Sequence, residues 1–291
     1  MTQERRRPGR REQISPNLVP LLRDPLAEPT GPDPVIAAGP PHRCQACKEE
    51  EPLFAFTMAF QPVVDLQESR VDAYEALVRG PNGEGAGHIL GLVNERNRYA
   101  FDKACRIRAI ELASSLGLDR RLNINFLPNA VYEPRACIQT TLQAAARTGF
   151  QLGQLTFEIV ENETVADPAH LRRIITEYHR MGFQVALDDF GTAYSGMLRL
   201  VDLRPDIVKL DRALIQDCDQ DKRRIALAAA MVALGRELGI KIVVEGVERA
   251  EEVEALREVG VRYMQGFYFA KPGFESIVSD VDIHWREDAE A

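Results

Sequence analysis

The sequence predicts a closed α/β barrel with its functional groups gathered at one end. Three observations carry that prediction. From Pro52 onward, apolar runs of strand length alternate with helix-length segments, the pattern of a parallel sheet flanked by helices. About eight such strands within roughly 220 residues match the size of one barrel as well as they would two domains. Seven of the runs (AYEALV, RLNINF, LTFEIV, VALDDF, IVKLD, KIVVEG and YMQG) carry polar or ionisable residues toward their ends. These residues are Glu75, Asn125, Glu158, the pair Asp188 and Asp189, Lys209 with Asp211, Glu245 and Gln265. Burying an unpaired charge is costly, so such a series points to a shared site at the C-terminal mouth of a barrel. An open doubly wound sheet is the rival topology. It usually shows a Gly-rich phosphate turn after its first strand, and no GxGxxG occurs here.

The elements follow in order. Ala55 to Asp65 and Val71 to Val78 read as strands joined by the polar stretch LQESR, so they pair as a hairpin. A Gly-rich loop spans Gly80 to Gly87. A helix over Asp102 to Leu116 places Ala104, Ile107, Ile110 and Leu112 on an apolar face. Strand Arg121 to Phe126 precedes a helix over Arg135 to Arg147. Strand Leu155 to Val160 then leads to helix Pro168 to Met181, and strand Gln184 to Asp188 leads to a shorter helix. Strand Ile207 to Asp211 leads to helix Asp221 to Leu238, and strand Lys241 to Gly246 to helix Ala250 to Val259. Tyr263 to Phe269 is the last strand.

The chain has 291 residues, 45% hydrophobic and 27% charged, the balance of an ordinary globular protein. Its formal net charge of -8 argues against non-specific nucleic-acid binding, so no DNA binding is expected. It leaves room for an anionic substrate, because divalent cations reverse a local field. No apolar run reaches the roughly 18 residues of a membrane span, and the N-terminus lacks an apolar signal core. A cytoplasmic location is the expectation. Five cysteines without framework spacing read as reduced thiols. None of the five histidines ends a predicted strand, so a metal site here is oxygen-rich and suits Mg²⁺ or Mn²⁺ better than Zn²⁺.

Residues 1–51 differ from the rest. Nine of the 17 prolines fall there, with Arg5, Arg6, Arg7, Arg10 and Arg11 at the start. Such sequence buries too little apolar surface to offset its ordering entropy and reads as a disordered, flexible tail. Residues 52–280 read as the barrel and 281–291 as a polar C-terminal tail. Just before the barrel, His42, Cys44 and Cys47 form an HxCxxC cluster, a candidate secondary metal site or redox pair. No second CxxC or HxxxH follows, so spare linker cysteines are the plainer reading.

At the mouth, convergent carboxylates repel one another unless cations lie between them. Two divalent ions roughly 3.5–4 Å apart are a common clamp for phosphodiester hydrolysis. Consecutive carboxylates such as Asp188 and Asp189 suit a bridging role, and Lys209 adds a cation that can position water or a phosphate oxygen. Each residue also has a bland explanation. Glu75 reads equally as an exposed strand end, and Asp211 as the N-cap of the next helix.

The blocks EALVR (75–79), DDFGTAYS (188–195), KLD (209–211), EGVE (245–248) and QGF (265–267) resemble the signature blocks of EAL-domain phosphodiesterases. QPVVDL (61–66) and FEIVENE (157–163) extend the resemblance over about residues 53 to 275, in the family's order and spacing. The resemblance implies a modified TIM (β/α)8 barrel with an antiparallel first strand. It implies hydrolysis of cyclic di-GMP to the linear dinucleotide with Mg²⁺ or Mn²⁺, two ions per site. Glu75, Asn125, Glu158 and Asp188 would hold the first ion. Asp188, Asp189 and Glu245 would serve the second, with Asp211 beside it. Lys209 would orient the attacking water, with Glu245 as an alternative general base. Gln265 would lie by the water or the phosphate, Gln61 and Arg79 would contact the substrate, and Glu161 would anchor the loop 190–196. That loop supports homodimer formation in the family. The pattern departs at Ala193, Gly196 and Val244, which leaves the chemical groups in place. The alternative is a non-catalytic cyclic di-GMP receptor that signals through a protein partner. Such members generally lose Glu75, Asp188, Lys209 or Glu245, and this chain keeps all four. With no cyclase block in the sequence, regulation is expected from the tail, from dimer formation or from a regulatory protein.

Overall fold

The computed structural model describes residues 54–131, 133–160, 167–192 and 196–285. Residues 1–51, with His42, Cys44 and Cys47, and the loop residue Glu161 lie outside the described residues. Eight strands close into a barrel: β1 (Thr57–Asp65), β2 (Arg70–Arg79), β3 (Arg121–Asn125), β4 (Leu155–Val160), β5 (Gln184–Phe190), β6 (Ile207–Leu210), β7 (Lys241–Val244) and β8 (Tyr263–Met264). β2 through β8 run parallel, while β1 is antiparallel to both β2 and β8 and so closes the ring. A short ninth strand, β9 (Gly273–Phe274), pairs with β1 outside the ring. The helices are α1 (Ala86–Leu90), α2 (Arg98–Ser115), α3 (Pro134–Cys137), α4 (Gln139–Thr148), α5 (Pro168–Arg180), α6 (Gly196–Leu203), α7 (Arg212–Ile215), α8 (Lys222–Leu238) and α9 (Ala250–Glu258). No helix among the described residues is long and apolar enough to cross a membrane.

Strand side chains alternate between faces, and that parity builds the site. Val63, Ala73, Ala186, Ile207 and Val243 pack together with Tyr263 as an apolar floor inside the barrel. Two residues further toward the mouth, on these strands or just past their ends, stand Gln61, Glu75, Asp188, Lys209, Glu245 and Gln265. The opposite face of each strand packs against the helices. There Phe126, Phe157, Tyr178 and Phe183 form an aromatic cluster with ring centroids 4.9–5.8 Å apart. Asp167 and Asp221 cap α5 and α8 by accepting hydrogen bonds from the Ala169 and Arg223 backbone N–H at 2.9 Å. Where β1 enters the barrel, Glu275 accepts hydrogen bonds from the Thr57 hydroxyl and from Arg108 of α2.

Several elements differ from the sequence expectation. The last strand is short, because the chain turns at Gly266 against the loop after β7: a Cβ there would lie 1.9 Å from the Val247 carbonyl oxygen. The helix expected over 135–147 is broken at Ile138 into α3 and α4. The fully buried part of α2 includes the ion pair Asp102 and Arg106 beside Ala109, Ile110 and Ala113, so its inward face is less apolar than the sequence suggested. The packed unit also extends past residue 280, where a polar tail was expected. Ile283 is buried, and Trp285 packs on the core while its indole N–H donates to the Asp280 carbonyl at 2.8 Å.

Candidate functional site

Lys209 stands at the centre of the mouth and is 1% exposed. Its Nζ lies 3.1 Å from Glu75 Oε2, 2.9 Å from Glu158 Oε1, 3.1 Å from Asp188 Oδ1 and 2.6 Å from Glu245 Oε1. Burial alone would strip its proton, but the four carboxylates hold it well above the usual lysine range, so the group stays an ammonium. Glu75 is also fixed by amides: Asn125 Nδ2 donates to Oε1 at 3.1 Å and Gln265 Nε2 to Oε2 at 2.9 Å. Burial raises the Glu75 carboxyl, yet Lys209, Gln265 and Asn125 outweigh it and keep it below the ordinary value. Glu158 and Glu245 behave oppositely. Burial first, and then the neighbouring carboxylates, push both well above the usual range against the pull of Lys209.

Asp188 and Asp189 would point to opposite faces of a regular strand. The backbone solves this at Asp189, which has φ 53° in the left-handed region, where Asp is more tolerated than most residues. The β5–β6 register breaks at the same place. Both carboxylates therefore converge: oxygens of Asp188, Asp189 and Glu245 lie within 4.8 Å of one another, as do those of Glu75, Glu158 and Asp188. Asp189 is pushed up to about 6 by burial and by the charges of Asp188 and Asp211.

This donor set fits hard divalent cations. Glu158 Oε2 and Gln265 Oε1 are buried and accept no hydrogen bond from the described residues. With all five carboxylates ionised, the one ammonium leaves four excess negative charges, which is the charge two divalent cations neutralise. Glu75, Glu158 and Asp188 form one oxygen cluster and Asp188, Asp189 and Glu245 the other, sharing Asp188.

The remaining predicted residues lie around this centre. Gln61 is buried on β1 directly opposite Glu75 in the strand register. Arg79 ends β2 and donates to the Val78 carbonyl at 2.8 Å, with no hydrogen bond to the carboxylates. Asp211 caps α7, accepting from the Ala213 backbone N–H at 2.7 Å, so the capping explanation describes its contact while its charge still reaches Asp189. Two residues escaped the sequence reading. Asn123 donates from Nδ2 to Glu158 Oε1 at 2.9 Å; the i, i+2 spacing to Asn125 puts both amides on the inward face and could have revealed it. Asp102 accepts from Arg106 at 2.8 Å and from the Leu127 backbone N–H at 2.9 Å, bracing the turn two residues past Asn125. No strand-end pattern marks it.

The fold and the site define an α/β barrel with an antiparallel first strand and an anionic, oxygen-rich mouth. The EAL domain family model matches residues 52–272, and the chain belongs to that family. The probable cyclic di-GMP phosphodiesterase PdeG of Escherichia coli strain K12 is 30% identical over 224 residues, covering 73% of this chain and 44% of that protein. The signaling protein YkoW of Bacillus subtilis strain 168 is 26% identical over 229 residues, covering 75% of this chain. The chain spans 28% of the length of YkoW, so it corresponds to one part of such relatives. Among solved structures, a standalone versatile EAL protein from Vibrio cholerae O395 in its c-di-GMP bound form has a TM-score of 0.75 and 48% identity, covering 78% of this chain and 96% of that one. The manganese/cy-diGMP complex of Klebsiella pneumoniae BlrP1 at pH 9.0 has a TM-score of 0.73 and 32% identity, covering 77% of this chain and 57% of that one.

Proposed function

We propose that this chain is a metal-dependent phosphodiesterase that hydrolyses cyclic di-GMP to linear pGpG and so lowers cyclic di-GMP signalling. The observation that carries the reading is the convergence of four carboxylates on one buried lysine, with Asp189 beside them, at the mouth of an EAL-family barrel. Glu75, Asn125, Glu158 and Asp188 would hold one Mg²⁺ or Mn²⁺ ion, and Asp188, Asp189 and Glu245 a second. When bound, such ions activate water and neutralise charge that develops on the phosphate.

The chain's own groups supply the rest. Asn125 and Gln265 orient the two oxygens of Glu75, and Asn123 orients Glu158. Lys209 is a permanent donor at Nζ, suited to orienting water or a phosphate oxygen rather than to removing a proton. Glu245, with Oε1 2.6 Å from Lys209 Nζ and within the second oxygen cluster, would be the alternative group to accept a proton. Gln61 and Arg79 flank Glu75 and would contact the substrate, Asp211 would tune Asp189, and Glu161 would anchor the loop after β5. Cys105, Cys137 and Cys218 form no disulfide among the described residues, which accords with the expected cytoplasmic location.

The same reading includes a homodimer and an unidentified regulatory protein. α6 follows the loop linked to dimer formation and leaves Met197, Leu198 and Val201 exposed at 53%, 71% and 68%. Leu198→Asp would shift the species seen by light scattering from dimer to monomer, and an unchanged mass would sink that part.

The test is chromatography of cyclic di-GMP incubated with the purified protein and Mn²⁺ or Mg²⁺, with Glu75→Ala and a chelator as controls. Linear dinucleotide from the wild type alone, lost on chelation, is the expected result. Binding without product would make the chain a receptor. Neither binding nor product would overturn the reading altogether.

A further inference from the structure

Glu75, Glu158 and Asp188, the first oxygen cluster of the mouth, each use their two carboxylate oxygens unequally. One oxygen of each lies against Lys209 Nζ: Glu75 Oε2 at 3.1 Å, Glu158 Oε1 at 2.9 Å and Asp188 Oδ1 at 3.1 Å. That same oxygen also accepts an N–H of its own. Glu75 Oε2 accepts from Gln265 Nε2 at 2.9 Å, Glu158 Oε1 from Asn123 Nδ2 at 2.9 Å, and Asp188 Oδ1 from the Asp189 backbone at 3.0 Å. A carboxylate oxygen has room for about two such contacts, so one oxygen of each group is filled. The other is left for a cation. Glu158 Oε2 is buried and accepts nothing from the described residues, and Glu75 Oε1 accepts from Asn125 Nδ2 at 3.1 Å.

We propose that Asn123 is a specificity residue: by filling Glu158 Oε1 it restricts Glu158 to one ligand oxygen, and so favours Mg²⁺ over Ca²⁺ at this cluster. The inference rests on the metal-dependent reading above and names what selects the ion.

The two ions ask for different carboxylates. Ca²⁺ takes roughly six to eight oxygens at about 2.3–2.6 Å and readily uses both oxygens of one carboxylate. Mg²⁺ demands near-octahedral geometry at about 2.0–2.1 Å. Carboxylates held to one oxygen each suit the octahedral ion and leave the larger one short of ligands. Of the three N–H groups that do the filling, one is backbone, and Gln265 belongs to the residues expected by the water or the phosphate. Asn123 lies deeper, 3% exposed, on a strand paired on both sides, so its amide is held rigidly. Its own Oδ1 is buried with no partner among the described residues, a cost that an apolar side chain of the same size would avoid. Packing alone therefore does not account for an amide here. Without it, Glu158 Oε1 keeps only Lys209 and can turn to give a larger ion a second oxygen.

The test is calorimetric titration of the full chain, stripped with chelator and dialysed, with Mg²⁺ and with Ca²⁺. The proteins are the wild type, Asn123→Leu, Asn123→Ala and Thr156→Val. Leucine keeps the size of Asn123, and alanine covers a misfit of leucine. Thr156 is the neighbour of Asn123 in the β3–β4 register and has a buried hydroxyl without a partner among the described residues, so Thr156→Val controls for loss of a buried polar group. Cooperative melting in chelator confirms that each variant is folded. Loss of a group that orients a metal ligand typically costs about 10–100-fold in affinity. The expected result is a Kd for Mg²⁺ weakened about tenfold or more in both Asn123 variants, with the Kd for Ca²⁺ within about threefold of wild type and little change in either for Thr156→Val. Infrared difference spectra on adding Ca²⁺ should gain, in the Asn123 variants alone, the narrowed carboxylate splitting of a two-oxygen ligand. Equal weakening of both ions, or weakening of neither, overturns the role of Asn123 and leaves the metal-dependent reading intact. The expected shift in selectivity, without hydrolysis of cyclic di-GMP by the Mg²⁺-loaded wild type, overturns the phosphodiesterase and retains the role of Asn123. No binding of either ion by the wild type overturns both.

Discussion

Replacing Lys209 with Met removes the one cation that contacts these four carboxylates among the described residues and keeps roughly the volume and apolar stem. The partners' side chains are 9%, 0%, 10% and 16% exposed, and Lys209 itself 1%. These pairs therefore belong with buried ion pairs, whose disruption costs about 3–5 kcal/mol, and not with surface pairs worth roughly 0–1 kcal/mol. A loss of that size is about a fifth or more of the roughly 5–15 kcal/mol that holds a typical domain together. Urea unfolding in chelator should show it as a lowered midpoint with an unchanged slope. Saturating Mn²⁺ should then restore part of it, because an ion that binds only the folded state at a hundred times its Kd contributes about 2.7 kcal/mol. The ion would bind the variant more tightly than the wild type, since no ammonium competes for the same oxygens. A loss below about 1 kcal/mol in chelator would refute the role of Lys209 as countercharge. A variant midpoint that Mn²⁺ leaves unchanged would refute cation binding by this cluster.

Three other outcomes follow from the same geometry. Asp102→Ala leaves the buried Arg106 charge and the Leu127 N–H unpaired, so urea unfolding should show a loss of about 3–5 kcal/mol, largely recovered by adding Arg106→Met; no recovery would mean that the charge is not the cause. Gly266→Ala places a Cβ against the Val247 backbone and should cost about 1–3 kcal/mol or more, and a melting temperature within a degree of wild type would show that the turn yields freely. Asp189 is raised to about 6, and Glu158 and Glu245 lie well above the ordinary range. The folded state thus binds protons that the unfolded chain has released, so these groups stabilise at low pH and the gain is lost as pH rises through their folded values. In chelator the protein should resist urea better at pH 5 than at pH 8, and the opposite order would contradict the assigned directions.

Much of the site was legible because strand parity is a local property. Once Glu75, Asp188, Lys209 and Glu245 are placed near the ends of parallel strands, the barrel alone brings them together. Asn123 was legible by the same rule and was passed over in favour of Asn125. Other features depend on contacts that no local pattern encodes. The left-handed turn at Asp189 arises where β5 and β6 lose register, and the short β8 arises because Gly266 meets a loop some twenty residues earlier. Asp102 and Arg106 form an i, i+4 pair whose burial nothing in the local sequence marks, and only the packing of α2 over the turn after β3 buries them.

The reversed direction of β1 has a mechanical consequence. In an all-parallel barrel the chain enters from the floor, on the far side from the reacting groups. Here Thr57 pairs with Arg79, the last residue of β2, so the polypeptide comes in over the rim. Thr57 is clamped there to Glu275, which also holds Arg108, and the strand runs inward, wholly buried, to Gln61 opposite Glu75. That is four residues, about 13 Å of stiff extended chain. A load on the chain ahead of β1 would therefore meet the Thr57–Glu275 contact and the β1–β2 pairing before it reached Glu75.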